Sequence, residues 1–534
     1  MDRGVRLPLS FAQQRLWFLA QLEPDSIEYN MPMPIPLDGD LDVDALAAAL
    51  GGLTARHEVL RTRLVAGEDG VPYQVIDPPL PFVLPVVDVS AEPDPAAAAE
   101  AWLAADAAVP FDLATGPLLR ATLVRVAADE HVLALAMHHV VGDEWSSGIL
   151  RDELAALYAG AELPALPVQY ADFAVWQRQW LSGEVLEGQL GFWRETLAGA
   201  PVLELPTDRP RPPVRSTEGA ALEFAIPADV ADGLRAVARE AGVSMFMTLL
   251  GAFTTLLHRY SGQDDIVVGT PIANRNRAEI EGLIGFFVNT LVLRTDLSGD
   301  PTFAELLGRV RSRTLAAYAH QDLPFEQLVD ELGVDRDRSR TPLFQVLFNY
   351  VSGDGGDTGL QGVSEPLPMP VKFDLSVSFG TAGSGLVGSV QYSTVLFDAE
   401  RMVRLVGHFM ELLSAIVTAP DRRLSSVPVL TDVERRELQV WNASAAPVPA
   451  VGAVHELIAE RVAADPAAVA VRCGDAALTY GELWQRSEQL ARQLCGLGVG
   501  PESVVGLCLD RGVEFVVAVL AVWRAGGAYL PMDP

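Results

Sequence analysis

The sequence predicts an α/β (α+β) protein of two lobes, followed by a shorter α/β fragment of different texture. Three observations carry this. The chain has 534 residues, too many for one ordinary domain. Its composition, 49% hydrophobic and 20% charged, provides material for large cores. Short apolar strands and amphipathic helices fill two blocks of comparable size, and the pattern changes beyond about residue 420. The expected divisions are residues 1–180 and 181–420 for the lobes, 421–450 for a linker and 451–534 for the fragment.

In the first block, LDVDALAAALGGLTARHEVL reads as a helix beginning near Leu41. It runs into the polar Arg56-His57-Glu58 and a short extended stretch from Val59 to Leu64. Residues 97–107 are alanine-rich and helical. HVLALAMHHVV (131–141) is a short apolar run bounded by polar residues, as a buried strand would be. SSGILRDELAALYAG (146–160) has helical periodicity and ends at Gly160. A strand therefore ends at two adjacent histidines, and Gly142, Asp143 and Glu144 lead into a helix.

The second block follows the Pro-rich LPTDRPRPPVR (205–215). Helices are expected at 228–241, 244–260, 302–319, 325–332 and 398–418, with strands at 265–272, 286–294, 344–351 and 371–379. The Gly/Ser-rich segment 353–364 reads as a surface loop or mobile turn. From about 420 to 451 Pro, Ser and Ala accumulate, giving a linker with some packed anchor points. Beyond it lie a helix, two strands with a turn, a second helix, a buried strand, a third helix and a further strand.

Seventy acidic and 39 basic residues give a net charge of −31, a surface that repels phosphate backbones and argues against nucleic-acid partners. No stretch approaches about 18 uninterrupted apolar residues, so no membrane span is expected. Arg15 interrupts the only apolar run of the opening segment, which offers no small-residue cleavage site, and a cytoplasmic protein is predicted. Cys473, Cys495 and Cys508 are odd in number, lack CxxC spacing and have apolar neighbours. They read as buried free thiols rather than disulfides or a zinc site, and no metal is expected.

The chemistry concentrates in Met137-His138-His139-Val140-Val141-Gly142-Asp143-Glu144-Trp145-Ser146. Bare histidine pairs are usually structural. At a strand end, however, an imidazole can be held rigidly with one nitrogen turned into a cavity. Asp143 can cap the following helix or pair internally with an arginine. There is no GxSxG elbow and no convincing nucleophilic cysteine, so a covalent acyl-enzyme is not favoured. Direct transfer between two bound substrates remains, with histidine as base or positioning group.

HHVVGDE resembles the HHxxxDG signature of nonribosomal peptide synthetase condensation domains and chloramphenicol acetyltransferase-like acyltransferases. SFAQQRLW (10–17), RHEVLRTRL (56–64), YADFAVW (170–176), IGFFVNT (284–290), HQDLPFEQLV (320–329) and RDRSRTPLFQVLF (336–348) resemble the flanking condensation-domain motifs, in their expected order. The opening SFAQQRLWFL is similar to the subtype that takes an L-configured donor. LTYGEL (478–483) and RAGGAYLP (524–531) resemble the first two core motifs of an adenylation domain. That family's phosphate loop, ribose-binding aspartate and catalytic lysine lie further downstream, so this fragment is expected to lack adenylation activity.

The resemblance implies a V-shaped pair of acyltransferase-like lobes. The phosphopantetheine arms of an upstream donor and a downstream acceptor carrier domain meet at His139. It implies a packed, structural His138, and Asp143 bridged to Arg275 of PIANRN. Gly142, Glu144, Trp145 and Ser146 form the loop and tunnel wall, and Asn289 and Arg61 are scaffold or tunnel-wall candidates. The domain itself binds no cofactor. The carriers and the remainder of the adenylation domain are the expected partners of a monomeric chain. Cyclising and epimerising relatives carry other motifs. Glu144 departs from the family glycine. A carboxylate turned outward leaves a working catalyst, whereas the alternative is a catalytically idle platform that recruits a partner enzyme or carrier.

Overall fold

The computed structural model describes residues 3–333, 337–354, 363–447 and 452–534. Residues 355–362 of the expected Gly/Ser loop, 448–450 of the expected linker and Arg336 of RDRSR lie outside the described residues.

The apolar run before the histidines forms strand Glu130–His138, buried continuously from Leu133 to His138. Such a strand needs neighbours on both sides, and it has them: Asn30–Asp38 and Leu119–Arg125, both antiparallel. Val86–Asp88 pairs in parallel with Leu119–Arg125 and completes a four-stranded sheet. Asn30–Asp38 carries Pro32, Pro34 and Pro36 at alternate positions, so the missing N–H groups fall on one side of the strand, and it occupies an edge. Helices Val43–Arg56 and Glu144–Tyr158 cover one face with Leu46, Leu50, Leu53, Leu150 and Leu154.

The second lobe is built on a seven-stranded sheet. Its order is Asn289–Asp296, Asp265–Ile272, Val346–Asp354, Leu375–Ala382, Gly385–Ser393, Gly219–Ile226 and Leu367–Pro368. Helix Met245–Ser261 is buried without interruption from Met247 to Leu257 and runs through that core beside Ala399–Thr418. The strand expected at 286–294 begins instead at Asn289. Its first three residues leave the sheet, because Phe286 and Phe287 join Ile280, Leu283 and Ile284 in the core of the other lobe. A segment of the second lobe thus closes over the first.

The chain divides into two compact units, Met1–Arg435 and Arg436–Pro534. Leu424 and Val427 are buried in the second lobe's core, anchor points within a segment that reads as linker. The second unit has an antiparallel strand pair, Val469–Cys473 with Ala476–Thr479, and a parallel pair, Val504–Cys508 with Ala528–Met532. Helices Tyr480–Gly496 and Val513–Arg524 pack through Leu483, Val517 and Leu520. Here the expectation of buried thiols fails: Cys473, Cys495 and Cys508 are free but exposed. Strand alternation is the reason at Cys508, since Leu507 faces inward and its neighbours face out.

Among the described residues no single helix is long and apolar enough to cross a membrane, and no cluster of three His, Cys, Asp or Glu is arranged to hold a metal.

Candidate active site

Strand Glu130–His138 ends at the first histidine, and a 3₁₀ turn, His139–Val141, carries the second. Asp143 then caps helix Glu144–Tyr158, accepting the Ser146 N–H at 2.9 Å. The helix starts two residues earlier than periodicity predicts because its first turn is polar. Gly142 is fixed by packing, since a Cβ there would lie 2.4 Å from the buried Met137 sulfur.

His139 Nδ1 lies 2.8 Å from the Gly142 carbonyl oxygen. A carbonyl only accepts, so Nδ1 carries the proton and Nε2 keeps the lone pair. The ring stands edge-on to Phe286 at 4.8 Å, and the His139 N–H donates to the Tyr29 carbonyl at 2.8 Å. Burial, with Lys372 beside it, pushes the imidazole down to about 4 against the opposing pull of Asp143 and Gly142. It is neutral at physiological pH.

His138 has the opposite tautomer. Its Nδ1 accepts the Val140 N–H at 3.1 Å, and its ring packs against Tyr29 and Phe111. Burial, His139 and Lys372 push it down to about 3.

Asp143 is the structural hub. One carboxylate oxygen accepts from the Ser146 backbone, the Ser146 hydroxyl at 2.7 Å and Arg275 Nη2 at 3.0 Å; the other accepts the Phe287 N–H at 3.0 Å. Arg275 also donates to Ser146 Oγ and to the carbonyls of Ile280 and Leu283, and lies 4.2 Å over the Phe287 ring. Ser146 Oγ accepts the Gly285 N–H at 3.1 Å. Tyr170 donates to the Phe286 carbonyl at 2.7 Å, and His57 accepts the Ile284 N–H at 3.3 Å. Together these bonds tie the closing segment to the first lobe and its histidine loop.

The other expected residues separate by function. Glu144 is exposed in the first helical turn, where the helix dipole favours a carboxylate. Trp145, expected at the tunnel wall, is 51% exposed and donates its indole N–H to the Glu281 carbonyl at 3.1 Å, so its contact serves the closing segment. Asn289 donates to the carbonyls of Gln321 and Leu323 and accepts from Phe325, pinning HQDLPFEQLV. Arg61 bonds to the Asp77 carbonyl and lines a separate cavity with Arg63 and Arg120.

Residues 5–439 match the condensation domain family. The chain belongs to that family. It is an amide-bond-forming acyltransferase of the nonribosomal peptide synthetase kind, and residues 458–534 match the AMP-binding enzyme family as part of an adenylation domain. A linear gramicidin synthase polypeptide of Brevibacillus parabrevis is 46% identical across 100% of this chain, which covers 7% of that protein. Phosphinothricin tripeptide synthetase PhsC of Streptomyces viridochromogenes is 44% identical across 100% of the chain, covering 50% of its own length. This condensation domain and its partial neighbour therefore span half or less of those relatives. A four-domain nonribosomal peptide synthetase solved with AMP and glycine has a TM-score of 0.79 at 25% identity, over 99% of this chain and 42% of that one. The X-domain solved in complex with OxyB from teicoplanin biosynthesis has a TM-score of 0.70 at 31% identity, over 81% of this chain and 98% of the other.

Sequence reasoning missed Lys372, which bears on both histidines although it precedes a strand of the other lobe. A signal was available: it is the only lysine in the chain.

Proposed function

We propose that this domain joins the amine of an aminoacyl thioester on a downstream carrier domain to the acyl group of a thioester on an upstream carrier, with His139 Nε2 at the reaction centre. The carrying observation is the single oriented lone pair of a neutral imidazole, fixed through Nδ1 by Gly142 and against Phe286. A base held at about 4 cannot strip a proton from an ammonium near ~8. The amine therefore arrives neutral, and His139 takes its proton once C–N bond formation has made the nitrogen acidic. Holding two carried substrates in register supplies much of the remaining acceleration, up to about 7–11 kcal/mol.

In this reading both substrates hang on phosphopantetheine arms, and the domain contributes no cofactor of its own. The opening SFAQQRLWFL points to an L-configured donor. The chain works in the cytoplasm as a monomer in contact with its two carriers and the rest of the adenylation domain. Its charge of −31 speaks against nucleic acid as a partner. His138 and Asp143 serve as supports rather than reactants.

The test loads synthetic pantetheine-linked donor and acceptor onto the neighbouring carriers and measures dipeptide by mass spectrometry. His139→Ala should abolish most of it in a folded protein; turnover near that of the parent would put the reaction elsewhere.

A second reading, an idle platform that recruits a partner, is favoured by the likeness to an X-domain that was solved bound to another protein. Glu144 in place of the family glycine is its other support. A parent domain that is inert, and is switched on by Glu144→Gly, would decide for it.

A further inference from the structure

Of the 39 lysine and arginine residues in the chain, only Lys372 is a lysine. Arginine presents a planar fork of five donors suited to paired carboxylates, whereas lysine is a compact charge on a flexible stem. Position 372 is the one place where this chain uses the second kind of cation.

Its surroundings differ from those of Arg275, the other second-lobe cation near the histidines, which donates to Asp143 and to two carbonyls. Lys372 precedes strand Leu375–Ala382 and extends from the second lobe to the first, with Nζ 4.4 Å from the Tyr29 ring centroid. The Tyr29 ring lies 6.3 Å from that of His138, and its carbonyl holds the His139 N–H. The charged groups facing the ammonium are Glu28, Arg15 and Arg215. Arg15 pairs with Glu326 at 2.7 Å and Arg215 with Glu28 at 4.0 Å. Among the described residues Nζ has neither a hydrogen-bond acceptor nor an ion-pair partner, and it lies over the Tyr29 ring. Tyr29, the ring beneath Nζ, also lines a cavity of about 320 Å³ together with Arg15, His138 and Arg215; Lys372 itself is not among the lining residues. Lys372 is half-buried, and its donors are not committed to any acceptor among the described residues, so a ligand oxygen entering beside Tyr29 would find them available.

We propose that Lys372 is a cationic subsite for the donor acyl group, receiving the thioester carbonyl oxygen. This rests on the amide-forming reading above. As the acceptor nitrogen bonds to the carbonyl carbon, the carbonyl π pair moves onto oxygen, and Lys372 meets the charge formed there. His139 Nε2 takes the nitrogen's proton. The oxygen pair then returns, the C–S bond breaks, and the donor arm leaves as a thiolate that recovers the proton. One thioester and one amine give one amide and one thiol. Arg15, Arg215 and Arg340, which line the cavity, already have carboxylate partners, whereas Lys372, on the Tyr29 ring at its edge, has none among the described residues.

The single lysine makes the test direct. Protein labelled with ¹³Cε-lysine gives one lysine resonance. It should move when the upstream carrier bears a stable acyl-amide analogue of the donor, and stay fixed when the arm is unacylated. A resonance indifferent to the acyl group overturns the proposal. Lys372→Met should lower the amide-forming rate about 100-fold, the loss found for removing one oxyanion donor, without lowering the melting temperature. Lys372→Arg should recover at least about tenfold of that rate, equivalent to ~1.4 kcal/mol of barrier. Equal losses in both variants with reduced melting temperatures would mark a structural lysine and also overturn it. A parent domain that forms no amide would remove the parent reading and leave the resonance to decide on Lys372.

Discussion

Two cations of the second lobe, Arg275 and Lys372, reach the histidine loop of the first, and they are held in opposite ways. Arg275 donates to Asp143, to Ser146 and to two backbone carbonyls, and lies on an aromatic face. Lys372 rests over Tyr29 with no acceptor among the described residues. A desolvated charge whose acceptors come from the protein itself has its burial offset once, at folding, and serves as scaffold. A half-buried charge whose donors the protein leaves uncommitted keeps them for whatever enters beside it. The adjacent histidines repeat the contrast. His138 is turned into an aromatic pocket and bonded to its own turn, while His139 has one nitrogen committed and one free.

The largest expected effect breaks the paired side of this comparison. In Asp143→Asn an amide must replace a carboxylate that accepts four hydrogen bonds, and Arg275 loses its counter-charge. Chemical denaturation should register a loss of about 3–5 kcal/mol. Combining it with Arg275→Met should cost less than the sum of the single changes, because the stranded cation is gone. A loss below about 1 kcal/mol, the range of an exposed pair, would mean the bridge is not scaffold.

Next come the histidines. His139→Ala should reduce amide formation by about 100-fold or more, in the range of general-base contributions, with little change in melting temperature. His138→Ala should do the reverse, losing stability in greater proportion than rate. Calorimetry and single-turnover rates on the same preparations would expose an exchange of these roles.

A third test uses pH. The folded protein holds His139 at about 4 and His138 at about 3, whereas a histidine of the unfolded chain titrates near 6.5. Below pH 6.5 the unfolded chain takes up protons that the folded chain refuses. Stability should therefore decline as pH falls from about 6.5 toward about 4 and stay level with respect to these two groups above about 7. Replacing either histidine should remove up to one proton from that slope; an unchanged slope in both variants would contradict the burial argument.

The smallest effect is expected at Glu144. Its carboxylate is exposed at the helix start, so Glu144→Gly should alter the amide-forming rate by less than about tenfold, or ~1.4 kcal/mol of barrier.

Local pattern made much of this fold legible. Strand Asp265–Ile272 and helix Ala228–Ala241 fall at their expected residues, because period and bounding polar residues are properties of the segment itself. The strand expected at 286–294 shifts because Phe286 and Phe287 are claimed by the other lobe's core. The cysteines defy their expected burial because apolar neighbours do not reveal which face of a short strand, for Cys473 and Cys508, or of a helix, for Cys495, is covered. Trp145 and Arg61 read as neighbours of the site, yet one clips the closing segment and the other lines a different cavity.

By itself, then, the sequence determined the order of motifs, the type of most elements and the location of the histidine pair at a strand end. Only the tertiary structure decided that Asp143 meets Arg275 across 132 residues of chain, that the two imidazoles hold opposite tautomers, and that a solitary lysine faces them from the other lobe. The physical reason is that periodicity is a local property, whereas desolvation and charge pairing depend on what closes over a group. Here the closing pieces come from the second lobe, far away in sequence.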